Sequence, residues 1–112
     1  MPGTVTFRCR PDESHYNPIG MVHGGLVATL LDSALGCATH TTLPAGTGYT
    51  SIEIKVNFLR PVTSDSGPLI CTGNVTKAGR RVAFAEGDVV DRHDKTVATA
   101  SGSLLIFPLT AT

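Results

Sequence analysis

The chain has 112 residues, a length at which we expect one core and one domain spanning residues 1–112. Nine basic and nine acidic side chains give a formal net charge of zero, which argues against nucleic-acid and membrane-surface binders. The N-terminus lacks a secretory pattern, and no apolar run approaches the ~18 residues of a membrane span. Three cysteines without a CxxC pair indicate neither a disulfide framework nor a zinc site. We therefore expect a cytoplasmic protein.

The N-terminal stretch predicts a strand followed by a loop. Residues 4–10 alternate apolar with polar side chains, the period of two of a half-buried strand. The loop that follows holds Asn17 before Pro18, and a residue before proline favours extended or turn backbone over helix. Asn17 is therefore expected on a loop that faces the start of the next element.

The next stretch predicts the one long helix of the chain. Its apolar residues recur at helical spacing, at Leu26, Val27, Leu30, Leu31, Ala34, Leu35 and Ala38. The other face is nearly all small and suited to close contact, and it consists of Gly25, Ala28, Thr29, Asp32, Ser33 and Gly36. Glycines at the helix entrance expose backbone N–H groups at the positive end of the helix dipole, a favourable place for a developing negative charge.

The second half of the chain is predicted to form strands. Residues 43–48 are rich in helix breakers and predict a linker, and residues 51–60 alternate as a long strand with one solvated face. Further strands are predicted over 69–77, 82–91 and 96–107. Turns this short cannot hold crossovers, so one helix and five strands predict an α+β fold with a mainly antiparallel sheet. Strand alternation puts Ser51 away from the core.

Several residues around the predicted helix have the spacing of a known family. They are Asn17, Gly20, the run His23-Gly24-Gly25 and Asp32, followed by the strand 51–61 and the hairpin 77–81. This pattern resembles the hotdog-fold acyl-CoA thioesterases of the phenylacetate-pathway and human thioesterase-superfamily branch. The resemblance implies a five-stranded sheet curled around one long central helix. Many family members carry a further N-terminal helix, whereas this chain begins almost directly with its first strand.

Thioester hydrolysis needs a donor at the carbonyl oxygen and a carboxylate that attacks the carbon or activates water. The Gly24 N–H, with the Asn17 amide as a second donor, is the candidate oxygen site, and Asp32 is the candidate carboxylate. His23 is expected to shape the loop, and the resemblance implies that Ser51 positions the attacking water. Each has a plainer interpretation: an entry turn for the glycines, a solvated helix face for Asp32 and a strand-start hydroxyl for Ser51.

Helix geometry separates these groups. Asp32 follows Gly24 by eight residues, which is ~12 Å along one helix, too far for a single carbonyl group to contact both. The donors and the carboxylate that act on one thioester are therefore expected from different subunits, across a two-fold axis. We expect a homodimer with active sites at its interface, assembled further into a homotetramer; the choice between dimer and tetramer stays open.

A basic hairpin stands out in this neutral chain. Gly79, Arg80 and Arg81, with Lys77 nearby, offer charges that suit the phosphates of coenzyme A, although a solvated turn would have the same composition. The histidines and cysteines lack metal-ligand spacing, so no metal is expected. Thioester hydrolysis by water and Asp32 needs no cofactor, and none is expected.

The sequence therefore predicts an acyl-CoA thioesterase that releases a free acid and CoA, with Asp32 as base or nucleophile. Aryl and medium-chain acyl groups are both compatible with it. The alternative is a non-catalytic acyl-CoA-binding or ligand-sensing module on the same fold, which could dispense with the carboxylate.

Overall fold

A computed structural model describes residues 2–109. Two single-turn 3₁₀ helices, Glu13–His15 and Ser64–Ser66, accompany the main elements. In chain order the main elements are β1 (Thr4–Cys9), α1 (Gly24–His40), β2 (Thr47–Phe58), β3 (Leu69–Ala78), β4 (Val82–Val90) and β5 (Thr96–Pro108). The described strands form one antiparallel sheet in the order β1-β3-β4-β5-β2, and this confirms the predicted α+β architecture of five strands around one long helix.

The core lies between α1 and one face of the sheet. The helix buries most of its predicted apolar stripe, namely Val27, Leu31, Ala34, Leu35 and Ala38. Opposite them, the strands bury Leu69, Cys71, Val89, Val97 and Leu104. Gly73 of β3 lies directly against the backbone of Ala34, where a side chain would clash. This close approach seats the helix on the middle of the sheet.

The observed element boundaries lie close to the predicted ones, with two exceptions. Helix α1 begins two residues before the first periodic leucine, because the ring of His23 caps it: Nδ1 accepts from the Gly25 N–H at 2.8 Å. Strand β2 begins at Thr47, inside the predicted linker, because Gly48 fits beneath the side chains of Phe107 and Leu109. The other four strands each differ from the prediction by one residue at one end.

A β-bulge in β2 decides which side chains face the helix. Ser51 pairs with Leu104 and Glu53 pairs with Ser103, so Ile52 is the extra residue between them. Leu104 is buried against the helix, and Ser51 directly opposite shares its face. The prediction that Ser51 points away from the core side was wrong, because the bulge reverses the alternation on which it relied.

Strands β1 and β2 are the two edges of the sheet. Within residues 2–109, the 12-residue β2 pairs on one side only, and its edge exposes 56% of Ile52 and 56% of Phe58. A long edge of this kind is open to pairing with another strand. In the described part of the chain, no helix has the length and apolarity needed to cross a membrane.

Candidate active site

The start of α1 presents two unused hydrogen-bond donors. Gly24 is the first helical residue, after the cap His23, and among the hydrogen bonds of residues 2–109 none uses its N–H. The Asn17 side chain is oriented by its loop: Oδ1 accepts from the N–H groups of Ile19 at 3.1 Å and Met21 at 3.2 Å. Within the described residues, the Nδ2 amide group of Asn17 donates no hydrogen bond, so it can donate to a ligand.

Asn17 and Gly24 both line one cavity of about 430 Å³. Besides Asn17 and Gly24, the lining is mostly apolar and comprises Met21, Val22, Val27, Phe58, Leu59, Arg60, Pro61, Val62 and Val97. The Phe58 ring lies against Gly24, 3.1 Å from where a Cβ would stand. Glycine at this position leaves room for the ring.

The Asn17 loop is anchored to a distant segment by a residue that sequence reasoning missed. The Tyr16 hydroxyl accepts from the Ser64 N–H at 2.8 Å and lies 3.2 Å from Ser64 Oγ, to which it donates. The Val22 N–H donates to the Val62 carbonyl at 2.7 Å. Because Ser64 is 48 residues from Tyr16, no local spacing could have indicated this contact.

The carboxylate half of the site lies in the middle of α1. Ser51 Oγ donates a 2.6 Å hydrogen bond to Asp32 Oδ1, and both residues are exposed. The bulge at Ile52 brings this serine to the helix face. Carboxylate and hydroxyl thus form a short, charge-assisted pair on an open surface.

The structure brings Asn17, His23 and Gly24 together at one end of the helix and Asp32 with Ser51 in its middle. Gly24 and Asp32 both belong to α1, so the eight-residue separation corresponds to ~12 Å along its axis. The small-residue face around Asp32 stays largely open, since Gly25, Thr29 and Ser33 are exposed. Within one subunit, the two halves of the site do not meet.

Tyr49 covers the next turn of the same helix face, and no motif or spacing in the chain singles it out. A Cβ at Gly36 would lie 2.7 Å from a Tyr49 ring carbon, so the phenol end of the ring rests on the glycine. The His40 ring lies 5.5 Å from the Tyr49 ring, centroid to centroid. Burial raises the pKa of the Tyr49 phenol, and neighbouring Cys37 and Asp32 raise this pKa further.

The basic side chains of the hairpin lie on different faces of the sheet: Arg81 on the face that packs against α1, and Lys77 on the opposite, outer face. Arg81 continues the β4–β5 ladder, because its carbonyl accepts from the Ile106 N–H at 2.7 Å. Lys77 pairs instead with Phe84 on the outer face. Arg80, Arg81 and Lys77 are exposed, and within residues 2–109 no carboxylate lies within salt-bridge distance of them. The described residues also contain no cluster of three potential metal ligands.

Comparisons with known proteins agree with this fold. Residues 19–98 match the model of the thioesterase superfamily. Human acyl-coenzyme A thioesterase 13 is 31% identical over 91 residues, covering 81% of this chain and 64% of the human protein. A thioesterase family protein from Silicibacter pomeroyi is 28% identical, with a TM-score of 0.87 over 96% of this chain and 80% of that chain. A Bacillus halodurans protein solved with CoA is 30% identical, with a TM-score of 0.79 over 93% of this chain and 66% of that chain.

The family match covers well over half of the sequence, so this chain belongs to the thioesterase superfamily. Its fold is the hotdog fold that the residues around the helix start predicted. The chain spans 62% of the length of the curated relative from Halobacterium salinarum and 64% of the length of the human relative, less than two thirds of each.

Proposed function

We propose that this protein is an acyl-CoA thioesterase that hydrolyses aryl- or medium-chain acyl-CoA to a free acid and CoA. The observation that carries the proposal is the 2.6 Å hydrogen bond from Ser51 to Asp32 on an exposed helix face. A binding module has no need of a carboxylate oriented in this way, whereas hydrolysis does. The human relative is named an acyl-coenzyme A thioesterase, which agrees with this substrate class.

In the proposed reaction the thioester oxygen accepts hydrogen bonds from the Gly24 N–H and the Asn17 amide. As the carbonyl carbon becomes tetrahedral, negative charge gathers on this oxygen, and the donors and the helix dipole stabilise it. Asp32 either takes a proton from the attacking water or attacks the carbon itself. Ser51 orients the Asp32 carboxylate through its hydrogen bond. Collapse of the intermediate expels the CoA thiolate, which takes up a proton. With water as the nucleophile the other product is the free acid; with Asp32 as the nucleophile it is a mixed anhydride, which water then hydrolyses to the free acid and the Asp32 carboxylate. His23 contributes by capping the helix.

The proposed active unit is a homodimer. The ~12 Å between Gly24 and Asp32 along α1 requires that one thioester use the donors of one subunit and the carboxylate of another. Two features support this assembly: the small-residue helix face is open, and β2 has an unpaired edge within residues 2–109. Pairing of β2 with its symmetry mate would continue the sheet and bring two helices together in antiparallel orientation. Two such dimers would form the expected tetramer.

CoA phosphates are assigned to the exposed tip formed by Gly79, Arg80 and Arg81. The guanidinium groups of this tip make no salt bridge within the described residues, and their planar forks suit phosphate oxygens. Lys77 lies on the outer face of the sheet and would contribute only long-range attraction. The Bacillus halodurans relative solved with CoA is consistent with a CoA ester as ligand.

The proposal is tested by hydrolysis of a panel of aryl- and alkyl-acyl-CoA esters, followed through release of free thiol. Turnover of at least one ester is expected. Asp32→Asn should lower its kcat by roughly 10²-fold or more, because the near-isosteric amide can neither attack nor accept a proton.

Asp88→Asn is the matched control, since Asp88 is exposed on the outer face of the sheet and distant from α1. It should leave kcat unchanged. If wild type and Asp32→Asn both bind acyl-CoA with similar affinity and neither hydrolyses it, the non-catalytic module is favoured and the proposed enzymatic function is overturned.

A further inference from the structure

We propose that Tyr49 is a specificity-determining residue that binds the pantetheine arm of the substrate, the flexible chain that joins the thioester sulfur to the phosphates. The inference rests on the proposed function, because it takes Asp32 as the place of the thioester and the arginine tip as the place of the phosphates. It adds a contact between these two points.

The sheet register places Tyr49 on the route from Asp32 to Arg81. Tyr49 pairs with Ile106, and the Ile106 N–H donates to the Arg81 carbonyl at 2.7 Å, so the three residues form one row across three strands. Residues directly opposite in an antiparallel sheet share a face. The face of this row is the helix face, because Ser51 lies two residues after Tyr49, ahead of the bulge, and pairs with buried Leu104.

The distances along this route fit the length of the arm. Ser51 to Tyr49 is ~7 Å along the strand, and Tyr49 to Arg81 is ~10 Å across two strand spacings, so the route over Tyr49 is ~17 Å between backbones. An arginine side chain that reaches back toward Tyr49 shortens this route by several ångströms. The pantetheine arm has about thirteen bonds from sulfur to phosphorus and spans roughly 15 Å when extended. A thioester at Asp32 can therefore reach the arginine tip by passing over Tyr49.

The chemistry of Tyr49 suits this role. The phenol is protonated at neutral pH, and its hydroxyl can donate to the carbonyl of the second amide of the arm, the one farther from the sulfur. The ring is supported from below by Gly36 and flanked by His40, so its position is fixed before the ligand arrives. A preordered aromatic surface with a hydroxyl matches an arm that alternates methylene groups with amides.

Three thioesters with the same acyl group separate the parts of the ligand. Acyl-CoA has the arm and the phosphates, acyl-pantetheine has the arm alone, and acyl-N-acetylcysteamine has only the first amide of the arm. Tyr49→Phe should raise KM roughly three- to ten-fold for the first two esters, the equivalent of one hydrogen bond, and leave the third within about two-fold. Arg81→Gln should raise KM roughly ten-fold for acyl-CoA alone.

Gly36→Ala provides a second way to displace the ring without removing the hydroxyl. Its Cβ would lie 2.7 Å from the ring, so the ring must move, and the same two esters should be affected. An equal penalty on all three esters, or none on any, would overturn the role of Tyr49. Failure of the wild type to hydrolyse any ester would instead overturn the proposed function. Titration of free CoA and free pantetheine into wild type and Tyr49→Phe would then still test the contact, and equal affinities would refute it.

Discussion

The start and the middle of α1 carry the two halves of the candidate site, and they are held in different ways. At the start, Asn17 is fixed by backbone donors of its own loop, and that loop is anchored through Tyr16 to Ser64. In the middle, Asp32 has a single side-chain partner among the described residues, Ser51, and lies on an exposed face. One half is complete within a subunit, whereas the other is open to a second surface.

This difference indicates where assembly acts. Burial of Asp32 against a second subunit would exclude water and strengthen every electrostatic interaction of the carboxylate. The donors need no such change to take up their positions, since the Asn17 loop and the start of α1 fix them within one subunit. Dimerisation should therefore act on the chemistry of Asp32 more than on the geometry of Gly24.

The largest loss of activity is expected when the backbone donor of the first half, the Gly24 N–H, is removed. Gly24→Pro deletes the N–H at the first helical position, where proline is well tolerated, and kcat should fall roughly 10²- to 10³-fold. Gly24→Ala introduces the same Cβ contact with Phe58 at 3.1 Å but keeps the N–H, and should cost less than about ten-fold. Steady-state hydrolysis of one acyl-CoA ester measures both. Equal losses would assign the effect to the displaced phenyl ring.

Mixing two inactive variants tests whether the halves come from different subunits. One variant carries Asp32→Asn, and the other carries Asn17→Ala with Gly24→Pro. Random reassortment makes about half of the dimers mixed, each with one intact site of two, so activity should recover to roughly a quarter of wild type.

Subunit exchange must be demonstrated first, for instance by mass spectrometry of differently tagged copies. With exchange established, activity that stays at the level of the parent variants would mean that donors and carboxylate act within one subunit.

A smaller effect is expected from the partner of the carboxylate. Ser51→Ala removes the 2.6 Å hydrogen bond to Asp32, and kcat should fall about ten-fold, the equivalent of one hydrogen bond to a charged group. Ser33→Ala is the matched control, because Ser33 is an exposed neighbour of Asp32 that makes no hydrogen bond to it in the described residues. Similar kcat values for Ser51→Ala and Ser33→Ala would show that Ser51 does not contribute to catalysis.

The smallest effect concerns the anchor of the donor loop. Tyr16→Phe removes both hydrogen bonds to Ser64 and should lower the free energy of unfolding by about 1 kcal/mol, with a loss of a few-fold in kcat as Asn17 loosens. Val5→Ala in β1 should destabilise by a similar amount, about 1 kcal/mol, through lost burial. Urea unfolding and kinetics are compared for both variants. Equal activities would make Tyr16 a purely structural residue.

Much of this fold could be predicted from the sequence, because periodicity reports burial directly. The apolar spacing of α1 located the helix and its buried face, and the constant rise per residue of a helix was enough to separate Gly24 from Asp32. The face of Ser51 could not be predicted. Residues 52–58 alternate regularly, and nothing in that pattern signals that the strand gains a residue at Ile52. Tyr16 and Tyr49 were missed because their partners are tertiary neighbours.

The bulge at Ile52 shifts by one residue the alternation of β2 side chains between the two faces of the sheet. Before it, Tyr49 and Ser51 face the helix; after it, Ile54 and Val56 do. Loops between elements accommodate insertions and deletions, but in this strand the number of residues matters. Deletion of one residue at the bulge would turn Ser51 and Tyr49 to the other face of the sheet, while Ile54 and Val56 would keep their core contacts. A change in strand length alone could thus remove Ser51 and Tyr49 from the candidate site and leave the fold in place.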